Sequence, residues 1–208
     1  MTRTVLFDVD GVLIHGYHTK PEKQVRWDAT LKADLGVDPD QFRAEFIFDV
    51  FVKKVLVGQV SLLEALERVL PRLGYRGPAM AFVRYWLEHD SHLNQPLLDV
   101  VASLKAKGTP LFVATNQEHM RAQWLWKNLG LENYFDDMFH AARVGALKPT
   151  KPYFEWVNAR LGPQAEPPLF FDDTPEVLKA ARTHGWEAVQ YDDLKDVTTH
   201  PWIKDRLA

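Results

Sequence analysis

Asp8 and Asp10 stand one residue apart in TVLFDVDGVLIHG (residues 4–16), and Gly11 follows at once. Read as the continuation of an apolar strand, this spacing sends both carboxylates to one side. Two like charges so placed repel and raise one another's pKa. A plain surface has no use for that arrangement. A metal ion does, and so do two carboxylates with different duties toward a proton. Taken alone, Asp-x-Asp-Gly also reads as a turn, since aspartate and glycine are turn formers.

The company it keeps argues against the turn alone. ATNQ supplies Thr115 and Asn116, GALKPTKP supplies Lys148, and FFDDTPE supplies Asp172 and Asp173. If the apolar runs leading to them are parallel strands, these groups share one edge of a sheet and converge. Three or four carboxylates together call for a cation. Oxygen ligands without thiol or histidine select a hard ion, and Mg²⁺ is the natural one. Lys148, Thr115 and backbone N–H groups then suit an anion with several oxygens, which describes a phosphoryl group. Each residue also has a plainer reading: a surface lysine before proline, a threonine ending a strand, an Asp-Asp helix cap with Pro175 at the first helical position. A cap and a metal site can coexist.

The elements that must position these residues are marked by the apolar runs. TVLF (4–7), TPLFVAT (109–115), MFHAA (138–142), PPLFF (167–171) and WEAVQY (186–191) alternate with helical patterns, and Gly108 suits a helix C-terminus. The expected fold is α/β, a Rossmann-like parallel sheet with helices on both faces. From Pro21 to Asn94 the patterns are helical without a strand. Asp38 reads as an N-cap before Pro39, Ser61 and Glu64 have capping-box spacing, and PAMAFVRYWLEHD is a third helix. The expected division is a core of 1–18 and 95–208 and an all-helical cap of 19–94. Hinges near 16–20 and 91–95 would let that cap act as a lid.

A chain of 208 residues suits one domain with an insertion. A net charge of -3 argues against a nucleic-acid surface built on phosphate contacts. The absence of cysteine excludes disulfides, thiolate catalysis and thiolate zinc sites. The first residues turn acidic before a signal-peptide core could form, and no run approaches the ~18 apolar residues of a membrane helix. The expectation is a cytoplasmic protein whose partner is a small phosphorylated metabolite, with no nucleic acid and no membrane. Oligomeric state has no sequence signal.

The set DVDGVL, ATN, KP and FFDD, in that order and at these separations, resembles the haloacid dehalogenase superfamily. It is similar to the phosphatase-like subfamilies with a helical cap inserted after the first motif, and the resemblance covers essentially the whole chain. It implies that Asp8 is a nucleophile forming an aspartyl-phosphate. Asp10 would be general acid and base, with its backbone carbonyl on Mg²⁺. Thr115 and the Asn116 N–H would hold the phosphoryl group, and Lys148 would neutralise charge. Asp173 would bind Mg²⁺ with Asp172 beside it, so the implied metal set is Asp8, Asp10, Asp172 and Asp173. Relatives that attack carbon lack the second aspartate, which favours phosphoryl chemistry. Val177 stands where relatives of the DDSPEN type commonly carry Asn or Asp, and IHGYH does not match the acidic residue and later histidine of the sugar-phosphate mutases. The implied activity is Mg²⁺-dependent hydrolysis of a small phosphomonoester. The alternatives are a phosphomutase or phosphotransferase, and a non-catalytic binding protein on the same scaffold.

Other residues have two readings. His15 and His18 are substrate contacts or a second proton carrier, or else exposed loop histidines; Tyr17 and His18 are the candidates for substrate contact on the cap side. EHDSH (88–92) reads as a solvated helix end rather than a zinc site. Trp124, Trp126, Phe46, Phe48 and Phe51 read as core. Lys53 and Lys54 read as a solvated face.

Overall fold

In the computed structural model, which describes residues 3–208, the five apolar runs form one parallel sheet. Its strands are β1 (Val5–Phe7), β2 (Leu111–Thr115), β3 (Asp137–His140), β4 (Leu169–Asp172) and β5 (Glu187–Gln190), in the order β3-β2-β1-β4-β5. The central strand is β1, and Phe7 lies level with Val113 and Phe171. Alternation divides each run between two faces. Phe7, Val113 and Phe171 join one buried cluster with Leu97, Val101 and Ile203. Leu6, Ala114 and Phe170 join another with Tyr153, Phe154 and Leu178. Helices cover both faces, which is why the strands read as unbroken apolar runs. Val177 belongs to the second cluster, where an aliphatic side chain is at home.

Between β1 and β2 the chain forms α1 (Leu31–Leu35), α2 (Pro39–Phe42), α3 (Leu62–Val69), α4 (Ala79–His89) and α5 (Gln95–Ala106). A wide, π-type helix over Arg43–Val55 prolongs α2. After β2 comes α6 (His119–Gln123), widened in the same way over Trp124–Asn128. The remaining α-helices are α7 (Ala141–Val144) and α8 (Lys151–Leu161) after β3, α9 (Pro175–Thr183) after β4, and α10 (Leu194–Thr198) and α11 (Pro201–Leu207) after β5. No described helix is long and apolar enough to cross a membrane.

The inserted helices are started by their caps. The Asp38 carboxylate accepts from Asp40 N and Gln41 N at 3.1 and 3.2 Å. Ser61 Oγ accepts from Glu64 N at 3.2 Å. The insertion has its own apolar cluster, including Leu31, Phe42, Phe46, Leu66, Phe82 and Trp86, and Met120 and Trp124 pack against it from α6. Phe48 does not join that core: its side chain is 67% exposed. Two residues along a helix is about half a turn, so Phe46 and Phe48 point to opposite sides.

The two crossings between sheet and insertion run side by side. Ile14 and Leu93 form an antiparallel bridge, His15 N donates to His92 O at 2.8 Å, and Asn94 N donates to Leu13 O at 2.9 Å. Asn94 Nδ2 adds a bond to Val12 O at 2.8 Å.

Candidate active site

The first strand stops at Phe7, so the alternation of side chains along a strand does not extend to Asp8 and Asp10. Val12 N and Ile14 N both donate to Val9 O, at 3.2 and 2.9 Å, closing a tight turn. Gly11 takes a φ of 74° there, and a Cβ on it would lie 2.8 Å from Asp173 Oδ2. Glycine meets both demands. The turn also separates the two aspartates: Asp8 faces Lys148, while Asp10 faces Arg121 and Gln117. The expectation that both carboxylates continue along a strand, pointing together, is therefore corrected.

Asp8, Asp172 and Asp173 each offer an oxygen within 4.8 Å of the others. Lys148 Nζ sits against two of them, 2.9 Å from Asp8 Oδ1 and 2.6 Å from Asp172 Oδ2. Its third donor goes to Ala114 O at 2.8 Å. The ammonium's three N–H groups are thereby used up. Asp172 Oδ1 accepts from Thr174 N at 2.8 Å, and Asp173 Oδ2 accepts from Thr19 N at 2.7 Å. Asp8 Oδ1 also accepts from Val9 N at 2.7 Å, which leaves Oδ2 without a protein donor among the described residues.

Burial pushes the Asp8 carboxyl well above the usual carboxylate range; Lys148 pulls it down, and Asp172 and Asp10 add to the rise. Burial alone would depress Lys148, but Asp172 and Asp8 hold it above its ordinary value. The Asp8 rise is thus chiefly burial, while the Lys148 rise comes from the carboxylates beside it. A dication fits the remaining negative charge, and an all-oxygen donor set suits Mg²⁺. Asp10 differs from the rest of the expected metal set. Its carboxylate is engaged by Arg121 and Gln117, so only its backbone carbonyl is left for that role.

Thr115 is buried at the end of β2. The Asn116 amide forms a reciprocal pair with the Lys148 backbone, donating to its carbonyl at 2.9 Å and accepting from its N–H at 2.8 Å. This pair fixes the loop that carries Lys148 to the end of β2.

The other side of the turn contains residues that sequence reasoning missed. Gln117 Nε2 donates to Asp10 Oδ2 at 2.6 Å, and Arg121 Nη2 donates to Asp10 Oδ1 at 2.8 Å. Arg121 Nη1 bonds Asp90, which also accepts from Trp86 Nε1 at 3.3 Å. Asp90 is thus buried rather than part of a solvated helix end, although His89 and His92 are exposed. The cause is that α4 ends against the turn: a Cβ on Gly16 would lie 2.8 Å from Asp90 Oδ1. Burial would lower the Arg121 pKa, but Asp90 and Asp10 hold it above its ordinary value. Burial raises that of Asp90 against the pull of Arg121. The available signal was positional. Gln117 and Arg121 lie in the loop and first helical turn after β2, where a parallel sheet brings side chains toward its carboxyl edge.

His18 is buried and Tyr17 is 64% exposed, so the pair proposed to touch substrate splits between interior and surface. Lys20 N donates to His18 Nδ1 at 2.9 Å, which puts the ring proton on Nε2. Burial lowers the His18 pKa despite Asp173 Oδ2 at 3.3 Å from Nδ1, so the ring is neutral and this contact is not an ion pair. Nε2 is buried without a protein partner. His15 and His18 both line a cavity of about 500 Å³ that reaches Lys23, Asn94 and Tyr191. His15 itself is exposed.

Residues 2–185 match the family of haloacid dehalogenase-like hydrolases. Over 94 residues the chain is 36% identical to fructose-1-phosphate phosphatase YqaB of Escherichia coli, covering 45% of this chain and 50% of that protein. Over 212 residues it is 26% identical to phosphoglycolate phosphatase of Neisseria gonorrhoeae, covering 96% and 87%. The chain therefore spans half the length of the first relative and most of the second. A HAD-family enzyme of Bacteroides thetaiotaomicron, solved in complex with magnesium and inorganic phosphate, superposes with a TM-score of 0.74 at 18% identity, covering 92% of this chain and 95% of that one.

Proposed function

The chain belongs to the haloacid dehalogenase-like hydrolases, and from that premise we propose that it is a Mg²⁺-dependent phosphatase of a small, soluble phosphomonoester. The observation that carries the reading is the group of Asp8, Asp172 and Asp173 around Lys148. The phosphatase names of the two relatives support the reaction class. The magnesium and phosphate in the Bacteroides enzyme support the metal and the anion.

Asp8, Asp172 and Asp173, with the Asp10 backbone carbonyl, would hold Mg²⁺. Bound there, the ion neutralises phosphoryl charge and aligns the oxygens for in-line displacement. Asp8 Oδ2, without a protein donor, is the free oxygen for attack on phosphorus. As the bond from Asp8 to phosphorus forms, the bond to the leaving oxygen breaks, and Asp10 gives that oxygen its proton. Asp10 then takes a proton from water as the water attacks phosphorus, releasing Asp8 and inorganic phosphate. Thr115 and the Asn116 N–H hold the transferring group, and Lys148 offsets its charge. The inserted helices, residues 19–94, act as a cap, and the buried His18 and exposed Tyr17 on the segment leading into it contact the leaving group.

A panel of phosphorylated metabolites, assayed for phosphate release with and without Mg²⁺, tests the activity. Asp8→Asn keeps the shape but has no attacking carboxylate, and its turnover should vanish. Release at the wild-type rate from that variant refutes the mechanism.

A further inference from the structure

The cluster around Arg121 is not needed to bind phosphate or metal in the proposed reaction, yet it is among the most enclosed charged groups in the molecule. Arg121 is 5% exposed and Asp90 is 9% exposed. The guanidinium reaches Asp10 from the core with Nη2 and Asp90 from the insertion with Nη1. Gln117 takes the other oxygen of Asp10 at 2.6 Å. Both oxygens of Asp10 are thus held by donors that are themselves buried, although the Asp10 side chain is 27% exposed. Arg121 Nε is buried without a protein partner, so the burial is incompletely compensated. A trio of apolar side chains would join insertion to core without the several kcal/mol that each buried ion costs. A planar fork that meets two carboxylates in fixed directions does what an apolar contact cannot, which is to aim them.

We propose that Arg121 is a positioning residue. It holds the Asp10 carboxylate at its proton-transfer station, and Asp90 holds Arg121, so the station is complete only with the insertion seated on the core. The proposal rests on the acid–base role of Asp10 in the phosphatase reading.

Leaving-group dependence tests it, because p-nitrophenolate departs without a proton and an alkoxide does not. The quantity read is the ratio of kcat/KM on p-nitrophenyl phosphate to kcat/KM on the best alkyl phosphate of the metabolite panel. Asp10→Asn sets the scale and should raise this ratio by about 100-fold, within the range of general acid catalysis. Arg121→Lys keeps the charge but loses the fork. It and Asp90→Ala should each raise the ratio by about tenfold as folded protein. If Arg121→Lys does not fold, Asp90→Ala decides. A contact that only staples insertion to core would lower Tm in these variants and leave the ratio alone; a folded variant with the wild-type ratio therefore overturns the proposal. If Asp10→Asn itself leaves the ratio unchanged, the acid–base assignment fails instead, and the two failures are told apart.

Discussion

Replacing Lys148 with methionine keeps the volume and removes the ammonium. The side chain is buried, and Asp8, Asp172 and Ala114 O would each lose the ammonium, leaving the two carboxylates only the backbone donors Val9 N and Thr174 N. Breaking a buried pair by deleting one partner costs about 3–5 kcal/mol, because the other charge stays behind. Here two carboxylates stay behind, so the upper part of that range applies. Against a total stability of about 5–15 kcal/mol this is a large share. At ~2–4 °C per kcal/mol for a chain of this size, Tm should fall by roughly 10 °C or more. The loss has a pH signature. Burial already raises the Asp8 pKa, and without Lys148 it rises further. A folded-state carboxyl pKa above the unfolded value of about 3.9 means that the folded chain keeps its proton longer. That contribution is complete below about pH 3.9 and is lost as pH rises through the folded pKa. The gap between variant and wild type should therefore be small near pH 4 and large near pH 8. Urea unfolding at both pH values, in EDTA, measures it, and Mg²⁺ added at pH 8 should narrow it. A gap under about 1 kcal/mol at pH 8, or one of equal size at both pH values, refutes the charge-balance reasoning.

Gly11→Ala and Gly36→Ala share a positive φ, but a Cβ meets Asp173 at the first position and open space at the second. Both should lose about 1 kcal/mol in urea unfolding from the backbone strain, and Gly11→Ala alone should also lose Mg²⁺ affinity by isothermal titration. Burial lowers the His140 pKa to about 4, so the folded chain resists a proton that the unfolded chain accepts from about 6.5 downward. Stability that is full above pH 6.5 should therefore decline toward pH 4, and His140→Gln should flatten this slope by about 1–2 kcal/mol, discounted because the ring is only partly buried. Chelation should abolish phosphate release, Mg²⁺ should restore it, and Ca²⁺ should restore it poorly, because its larger and looser shell disturbs in-line geometry; full activity of metal-free protein in EDTA excludes the metal reading.

Asp8, Asp172 and Asp173 were legible because each lies at or just past the end of an apolar run, and parallel strands deliver their ends to one edge, whereas Lys148 follows β3 only after α7 and was legible from its place in the ordered motif set. Asp10 was legible as a residue but not as a direction, since the strand ends at Phe7 and the turn hydrogen bonds re-aim the residues beyond it. Asp90 was hidden for another reason. A short run of His, Asp and Ser after a helix reads as solvated, and only the docking of α4 against Gly16 buries it. Arg121 sits in a short polar stretch, and no local pattern separates an inward arginine from an outward one. The helix begun at Asp38 runs on to Val55 because tertiary packing of Phe46 and Val55 extends it past the recognisable cap.

The paired crossings at Ile14 and Leu93 have a mechanical consequence. Two chain segments joined by hydrogen bonds at His15–His92 and Leu13–Asn94 form a ribbon, which flexes across its face but breaks bonds if sheared in its plane. If the insertion works as a lid, this ribbon would leave it one soft direction of travel and several stiff ones. Gly16 and Asp90 lie just beyond the ribbon on its two legs, so a swing of the insertion about it would change the separation between the guanidinium of Arg121 and its Asp90 oxygen.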